Sequence, residues 1–334
     1  MKSNWLRISL IVISILVIIY YLGPRPATPR YDPLLPAVPQ QSRALEQYVS
    51  AKEHQHKLKP DNEARVVWYD SLHRKTPYSV VYLHGFSASQ EEGDPVHRDF
   101  AKRYGCNMYL SRLDGHGLDT SEPLLTMTAT GLWNDAKEAL SIGKALGEKV
   151  ILVTCSTGST LGLKLAATYP NDIFALINMS PNIAINNDLA FLSNNPWGLE
   201  LARLVCKGKY RESVPDNTEV GKYWYTKYRL EAVSELQNLL ETTMEPSTFR
   251  AVKQPALNLY YYKDETHQDQ TVRVSAILDM QKQLGTAPTL KEAVPVPNAG
   301  AHVMGCYLTG KDIPSVEKAI DSFAERTLGL LPVR

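Results

Sequence analysis

The sequence predicts an α/β protein: a doubly wound, mostly parallel sheet that carries a helical cap insertion and follows an N-terminal transmembrane helix. Three observations carry that expectation. From residue 64 onward, short apolar runs rich in β-branched and aromatic residues alternate with helical patterns, as βαβ units do. Between residues 182 and 250 that alternation stops. The chain also opens on an apolar run, Trp5 to Leu22, interrupted only by Arg7, Ser9 and Ser14.

The opening run spans eighteen residues, about 27 Å as a helix, close to the ~30 Å hydrocarbon core of a bilayer. Ile8 to Leu22 is apolar on every side, unlike a soluble amphipathic helix, and Lys2 and Arg7 bracket its start. A cleaved signal peptide needs small residues after the run. Here Tyr20-Tyr21-Leu22-Gly23-Pro24 follows instead, with no nearby cysteine for a lipid anchor. Tyr20 and Tyr21 suit an interfacial aromatic belt. The expectation is a single-pass membrane anchor over residues 1–23, with the remainder on the extracytoplasmic side.

Prolines 24, 26, 29, 33, 36 and 39 make residues 24–41 an extended linker, because proline fixes φ and removes a donor. A short helix is expected over Ser42–His56. His54 and His56, two residues apart, do not share a helix face and have no acidic partner nearby, so no metal site is expected there. Strands are expected at Ala64–Tyr69, Ser79–Leu83, Met108–Arg112, Val150–Thr154, Phe174–Met179, Ala256–Tyr262 and Ala293–Val296. Helices are expected near Pro95–Tyr104, Gly131–Leu146, Ser159–Thr168, Val272–Leu284 and Ile313–Leu328. Several strands are apolar on both faces, as in a parallel sheet covered by helices. Residues 42–181 and 251–334 thus form the core. Residues 182–250 show no obvious strand and are rich in Trp197, Tyr210, Tyr223, Trp224, Tyr225 and Tyr228; they read as a cap on the sheet's edge.

Composition closes off several classes. Hydrophobic residues at 44% and charged residues at 21% exclude a mainly disordered chain. Thirty-six Lys+Arg against 35 Asp+Glu, with no block of one sign, leave no electrostatic footprint for nucleic acid. Four cysteines, Cys106, Cys155, Cys206 and Cys306, have neither zinc-site spacing nor the density of a disulfide scaffold, and are expected to be core thiols.

Chemistry-bearing residues fall at the ends of expected strands. In Val150-Ile151-Leu152-Val153-Thr154-Cys155-Ser156-Thr157-Gly158, an apolar strand meets a serine and turns at once into a small-residue helix. Such a turn forces strained backbone on Ser156, lifts its hydroxyl clear, and demands small residues two positions away. Gly158 meets that demand; Thr154 meets it only in part. Gly158, Gly162 and Ala166 form one ridge that can approach the sheet closely, and the helix N-terminus sets N–H groups beside the serine. An ordinary serine helix cap is the competing reading of this segment. His84-Gly85-Phe86 follows another buried strand, where the glycine lets the Phe86 N–H point into a cleft. Asp114-Gly115-His116-Gly117 closes the next. His302, in the small-residue loop Asn298-Ala299-Gly300-Ala301-His302, is the candidate general base.

In that order, these residues resemble the α/β-hydrolase superfamily over roughly residues 64–330, nearest to its monoglyceride-lipase and lysophospholipase-like branch. The resemblance implies a Ser, acid, His triad along the chain, with Ser156 and His302 as its outer members. The acid then lies after the penultimate strand, in Asp264-Glu265-Thr266-His267-Gln268-Asp269-Gln270-Thr271-Val272. Asp269, which precedes x-x-Val and a helix, matches the family's loop best; Asp264 is the alternative and Glu265 a third choice. The usual glycine of that loop is missing. The implied mechanism uses Ser156 as nucleophile, His302 as base, the acid to fix the imidazole tautomer, and the N–H groups of Phe86 and Thr157 as the oxyanion hole. No metal or cofactor is required. A serine at the elbow disfavours the family's epoxide-hydrolase and dehalogenase branches, and Cys155 points the opposite way along its strand. The expected activity is hydrolysis of carboxylic esters, of lysolipid or monoacylglycerol type, by a membrane-anchored enzyme. A peptidase or amidase and a non-catalytic binding protein of the same fold are the alternatives.

Overall fold

A computed structural model describes residues 2–214 and 217–333. Met1 of the expected anchor, residues 215–216 of the expected cap and Arg334 lie outside the described residues, as do the side chains of residues 2–4, Lys2 among them.

In chain order, the elements begin with helix α1 (Lys2–Tyr21), α2 (Ser42–Glu53), β1 (Arg65–Val67), β2 (Thr76–Leu83), α3 (Val96–Arg103), β3 (Asn107–Leu110), α4 (Ala129–Leu146) and β4 (Gly147–Cys155). They continue with α5 (Thr157–Thr168), β5 (Ile173–Met179), α6 (Gly198–Val205), β6 (Tyr210–Glu212), α7 (Val220–Tyr223), β7 (Lys227–Arg229) and α8 (Leu230–Thr243). The chain ends with α9 (Pro246–Ala251), β8 (Ala256–Tyr260), α10 (Val274–Gln283), β9 (Lys291–Pro295) and α11 (Ile313–Arg326).

The main sheet has seven strands in the order β1-β3-β2-β4-β5-β8-β9. Only β1 runs antiparallel to its neighbour; β2, β3, β4, β5, β8 and β9 are parallel. Alternation along each central strand divides the core into two layers. Val81, Leu83, Val150 and Leu152 face one layer with Trp133 and Leu140 of α4, Leu161 of α5 and Ile277 of α10. Val80, Tyr82, Ile151, Val153 and Cys155 face the other with Phe100 of α3 and Phe323 of α11. Both faces are covered, which explains why these strands read as continuous apolar runs. Because every parallel strand delivers its carboxyl end to the same edge, the loops after β2, β3, β4, β8 and β9 converge there.

The expected membrane span finds no support, and two other expectations are corrected. The opening run is helical, and its side chains from Trp5 to Leu22 are exposed. Yet among the described residues no helix is long and apolar enough to cross a membrane. Arg7 falls within that opening helix. The insertion is not strand-free: β6 and β7 form an antiparallel hairpin, with Tyr210 opposite Arg229. Cys206 is exposed at the end of α6, whereas Cys106, Cys155 and Cys306 are buried; all four are free thiols.

The proline-rich stretch carries no helix or strand, but it is strapped to the core. Its carbonyl oxygens accept from Asn238 Nδ2 at Ala27 (2.9 Å), Trp133 Nε1 at Asp32 (3.0 Å) and the Tyr169 hydroxyl at Pro33 (2.9 Å). At the head of this strap, Trp197 donates its indole N–H to Ile19 O (3.0 Å) and its backbone N–H to Pro24 O (2.9 Å), joining the cap to the end of α1.

Candidate active site

β4 ends at Cys155, and Ser156 takes φ 51° and ψ −116° before α5 starts at Thr157. A positive φ on a serine stores backbone strain that the surroundings must over-determine. Here Ser156 N–H donates to Met179 O (3.0 Å), while Ser156 O accepts from Ser159 N–H (2.9 Å) and Asn182 N–H (3.1 Å). The close passage of α5 over β2 requires a glycine at 158, since a methyl there would lie 1.9 Å from Leu83 O. Thr154 is tolerated where a glycine is usual because its hydroxyl is paired. It donates to Asn178 Oδ1 (2.7 Å) and accepts from Ser159 Oγ (2.7 Å). Its methyl group fits against Gly162, whose missing Cβ would stand 3.1 Å away.

Beside the elbow, the N–H groups of Phe86 and Thr157 have no acceptor among the described residues. Two buried histidines shape the loop that carries Phe86. His84 Nε2 accepts from Leu113 N–H (3.1 Å), and His116 Nε2 accepts from Ser87 N–H (3.0 Å) while its Nδ1 donates to Asp114 O (2.8 Å). Burial drives the His116 imidazolium down to about 4, and pushes His84 well below its ordinary value, so both act as neutral rings with an acceptor nitrogen. Arg112 holds the same loop from below: its Nε and Nη2 pair with buried Glu53 (2.7 and 3.0 Å), and Nη1 donates to His116 O (3.2 Å). The cap closes over this loop, with Tyr225 N–H donating to Ser87 O (2.8 Å) and the Tyr228 ring edge-on to Phe86 at 5.1 Å.

His302 stands across Ser180 from the elbow. Met179 O receives the Ser156 N–H, and the next residue, Ser180, donates its hydroxyl to His302 O (2.6 Å). His302 Nδ1 lies 2.6 Å from Asp269 Oδ2, and the Asp269 side chain is fully buried. Asp269 Oδ1 accepts from Thr271 N–H (2.8 Å) and Val272 N–H (3.1 Å). Burial alone would raise this carboxyl, but the His302 charge, its hydrogen bond and the two amides outweigh burial and hold it below the ordinary value. His302 is displaced the other way: burial disfavours its cation, yet Asp269 and then Glu92 raise it above the ordinary value. The alternative acid, Asp264, does not reach His302. It is half-exposed and closes its own turn, accepting from Thr266 N–H (2.9 Å) and His267 N–H (2.9 Å) and facing His267 Nδ1. Glu265 is exposed and is taken up by the Tyr262 hydroxyl (2.9 Å).

Glu92 has no counterpart in the sequence reading. It sits in a 3₁₀ turn, Gln90–Gly93, is buried, and accepts from Gly85 N–H (2.6 Å) and the Tyr82 hydroxyl (3.1 Å) through Oε2. Gln-Glu-Glu reads as a solvated run, and no pattern in it announces burial. The Asn178–Asn258 pair was missed as well: Asn178 Nδ2 donates to Asn258 Oδ1 (2.8 Å), and Asn258 Nδ2 donates to Gln281 Oε1 (2.8 Å). Cys155 packs in the opposite layer among Tyr82 and Met179, and burial pushes its thiol well above the ordinary value, so it offers no thiolate. Of the cap aromatics, Tyr228 touches the site's loop, Tyr223 is bound to Asp61 Oδ2 (3.1 Å), and Trp197 serves the junction with α1. Among the described residues no group of three or more His, Cys, Asp or Glu is arranged to hold a metal ion.

Comparison with known proteins adds the following. The Hydrolase_4 family model, described as serine aminopeptidase, S33, matches residues 75–297. Among solved structures, a lipolytic enzyme from the metagenome-derived LipS and LipT pair superposes with a TM-score of 0.64 at 19% identity, covering 81% of this chain and 100% of the other. A soluble variant of the Saccharomyces cerevisiae monoglyceride lipase gives 0.60 at 13% identity, over 79% of this chain and 91% of that one. The Paleococcus ferrophilus monoacylglycerol lipase gives 0.57 at 14%, over 77% and 95%. At these identities the structural likeness concerns the fold. No curated protein sequence matches the chain.

Proposed function

Because the chain belongs to the Hydrolase_4 (serine aminopeptidase, S33) family of α/β-hydrolases, we propose that it is a serine hydrolase of carboxylic esters, with lysolipid or monoacylglycerol-like substrates. Ser156 attacks the ester carbonyl, and its hydroxyl proton passes to His302 Nε2. Asp269 keeps the imidazole proton on Nδ1 and stabilises the cation that forms. The carbonyl oxygen, now negative, is met by the N–H groups of Phe86 and Thr157, each such donor being worth roughly 3–4 kcal/mol in the transition state. Collapse expels the alcohol, which takes the proton from His302. Water, activated by the same imidazole, then releases the acid from Ser156.

The observation that carries this reading is the 2.6 Å His302–Asp269 pair, tied through Ser180 to the strand end that also holds the strained serine elbow. The preference for lipid esters is supported by the names of the lipases that share the fold and by the aromatic Phe86–Tyr228 contact at the cap. Attachment of α1 to a lipid bilayer, with the catalytic unit on the extracytoplasmic side, is part of the same proposal. Its support is the apolar surface that α1 exposes from Ile8 to Tyr21.

Labelling of the full chain by a fluorophosphonate probe, with peptide mapping, tests the nucleophile. Ser156 is expected to be modified, and Ser156→Ala to abolish both labelling and ester turnover with little change in thermal midpoint. Undiminished turnover by Ser156→Ala would remove the serine from the mechanism. Aminoacyl amides run beside p-nitrophenyl esters separate an esterase from the peptidase suggested by the family's description. Detergent-free fractionation tests the membrane attachment, which fails if the intact chain stays in the supernatant.

A further inference from the structure

Glu92 is a buried carboxyl wedged between the two halves of the candidate site. From one side it accepts the Gly85 N–H at 2.6 Å, and so fixes the peptide that precedes the Phe86 amide. A point where a Gly85 methyl would stand lies 2.7 Å from Glu92 Oε1 and 3.0 Å from Ser156 Cβ, so Gly85 is flanked by the carboxylate and by the elbow. From the other side, the turn bearing Glu92 is bonded to the segment that follows His302. Cys306 Sγ lies 3.4 Å from Glu91 O, and Tyr307 N–H donates to Asp94 O at 2.9 Å.

We infer that Glu92 is a positioning residue for the hydrolytic reaction: it holds the Gly85 peptide so that the Phe86 N–H stays aimed at the oxyanion, and in its ionised form it favours the His302 cation. The inference rests on the serine-hydrolase reading and adds to it a carboxylate outside the triad. Glu92 transfers no proton and forms no bond to substrate. The proton from Ser156 goes to His302 Nε2 and on to the leaving alcohol, as before. What Glu92 changes is the cost of the imidazolium while it exists.

The surrounding groups fit that role. The groups that interact electrostatically or by hydrogen bond with Glu92 are Tyr82 on β2, Cys155 on β4, Cys306 and His302 beyond β9, and the Gly85 amide; those that act on His302 are Asp269 and Glu92. Tyr82 and Cys155 are both held in their neutral forms, chiefly by burial, so His302 is the only cation that acts on Glu92 among these groups. Burial pushes Glu92 up to about 7, opposed by the Gly85 hydrogen bond and the His302 charge. The ionised carboxylate and the His302 cation therefore favour one another.

The experiment is the pH dependence of fluorophosphonate labelling and of ester turnover for the full chain, for Glu92→Gln and for Glu92→Asp. Glu92→Gln keeps an oxygen for the Gly85 N–H but removes the charge. The acid limb is expected to move down by about one pH unit, since the imidazolium loses an attractive neighbour. kcat is expected to fall about tenfold at unchanged KM, less than the 10²–10³ for loss of a direct oxyanion donor. Glu92→Asp is expected to return the acid limb to its wild-type position. The labelling rate constant reports folded molecules alone, so partial unfolding lowers amplitude and leaves the limb readable. If Ser156 of the wild type labels normally and the Glu92→Gln limb does not move, this inference falls and the serine-hydrolase reading stands. If wild-type Ser156 does not label at all, that reading falls and the inference with it.

Discussion

Replacing Asp269 with asparagine is the sharpest perturbation of the site, because each oxygen it alters has a known partner. Oδ1 holds the Thr271 and Val272 amides at 2.8 and 3.1 Å, and Oδ2 meets His302 Nδ1 at 2.6 Å. An asparagine that keeps its oxygen on the two amides presents Nδ2–H to His302. The imidazole then carries its proton on Nε2, the atom that must take the Ser156 proton. The opposite amide orientation leaves two buried amide N–H groups facing an NH₂, at about 1–3 kcal/mol for each unpaired donor, so the tautomer change prevails. A loss of the correct tautomer corresponds to roughly 10⁴ in kcat, about 5.5 kcal/mol of barrier. The assay is kcat/KM on a short p-nitrophenyl ester, with thermal midpoints recorded alongside and Asp264→Asn as the comparison. Asp264 is half-exposed and serves only its local turn, so its variant is expected to stay within about twofold of wild type. Residual turnover above about a tenth in Asp269→Asn, or a comparable collapse in Asp264→Asn, would refute the assignment.

Gly158→Ala forces a methyl to 1.9 Å from Leu83 O, far inside the ~3.5–4.0 Å of ordinary carbon contacts. A stability loss of about 3 kcal/mol is expected in thermal melts, with loss of labelling at Ser156; an unchanged melt would mean that α5 does not pass β2 this closely. Glu53→Ala strands the buried Arg112 guanidinium and frees the Ala64 amide that Glu53 also accepts at 2.8 Å. It is expected to cost roughly 3–5 kcal/mol in denaturant unfolding, and a midpoint within error of wild type would contradict the pairing. His302 must be neutral to accept a proton, and it is raised above its ordinary 6.5. Turnover should therefore fall as pH drops through a value higher than 6.5, and a limb centred below that would show that Asp269 does not stabilise the cation. The same displacement has a stability counterpart of fixed sign. The His302–Asp269 attraction contributes fully below the unfolded histidine value and is lost as pH rises through the folded one.

How much of this was legible in the sequence follows from where each signal originates. The seven strands of the main sheet each coincide with an expected apolar run, and for the five inner strands the reason is that burial on both faces writes itself into composition. The turn at Ser156 was legible from the small residues that the steric crowding requires. The hairpin β6–β7 was not: Tyr210–Glu212 and Lys227–Arg229 are three-residue, largely polar segments that pair only because the cap folds back over the Phe86 loop. Glu92 was invisible for a related reason, since its burial comes from a short turn tucking a polar run beneath Gly85. Asp269 and Asp264 are both loop aspartates five residues apart, and only the fold decides that one is enclosed and the other solvated. Cys206 was placed inside by residue type, but it ends a surface helix of the cap.

The amide and hydroxyl chain from Ser159 through Thr154, Asn178 and Asn258 to Gln281 crosses three adjacent strands at matched positions, Thr154 opposite Asn178 and Asn178 opposite Asn258. An apolar sheet interior tolerates sliding of one strand past another, because one valine serves as well as the next. Here any slip by one position would turn an asparagine to the other face and strand several polar groups in hydrocarbon surroundings. The chain thus works as a key cut for a single alignment, and it makes the location of the elbow depend on a glutamine two strands and a helix away.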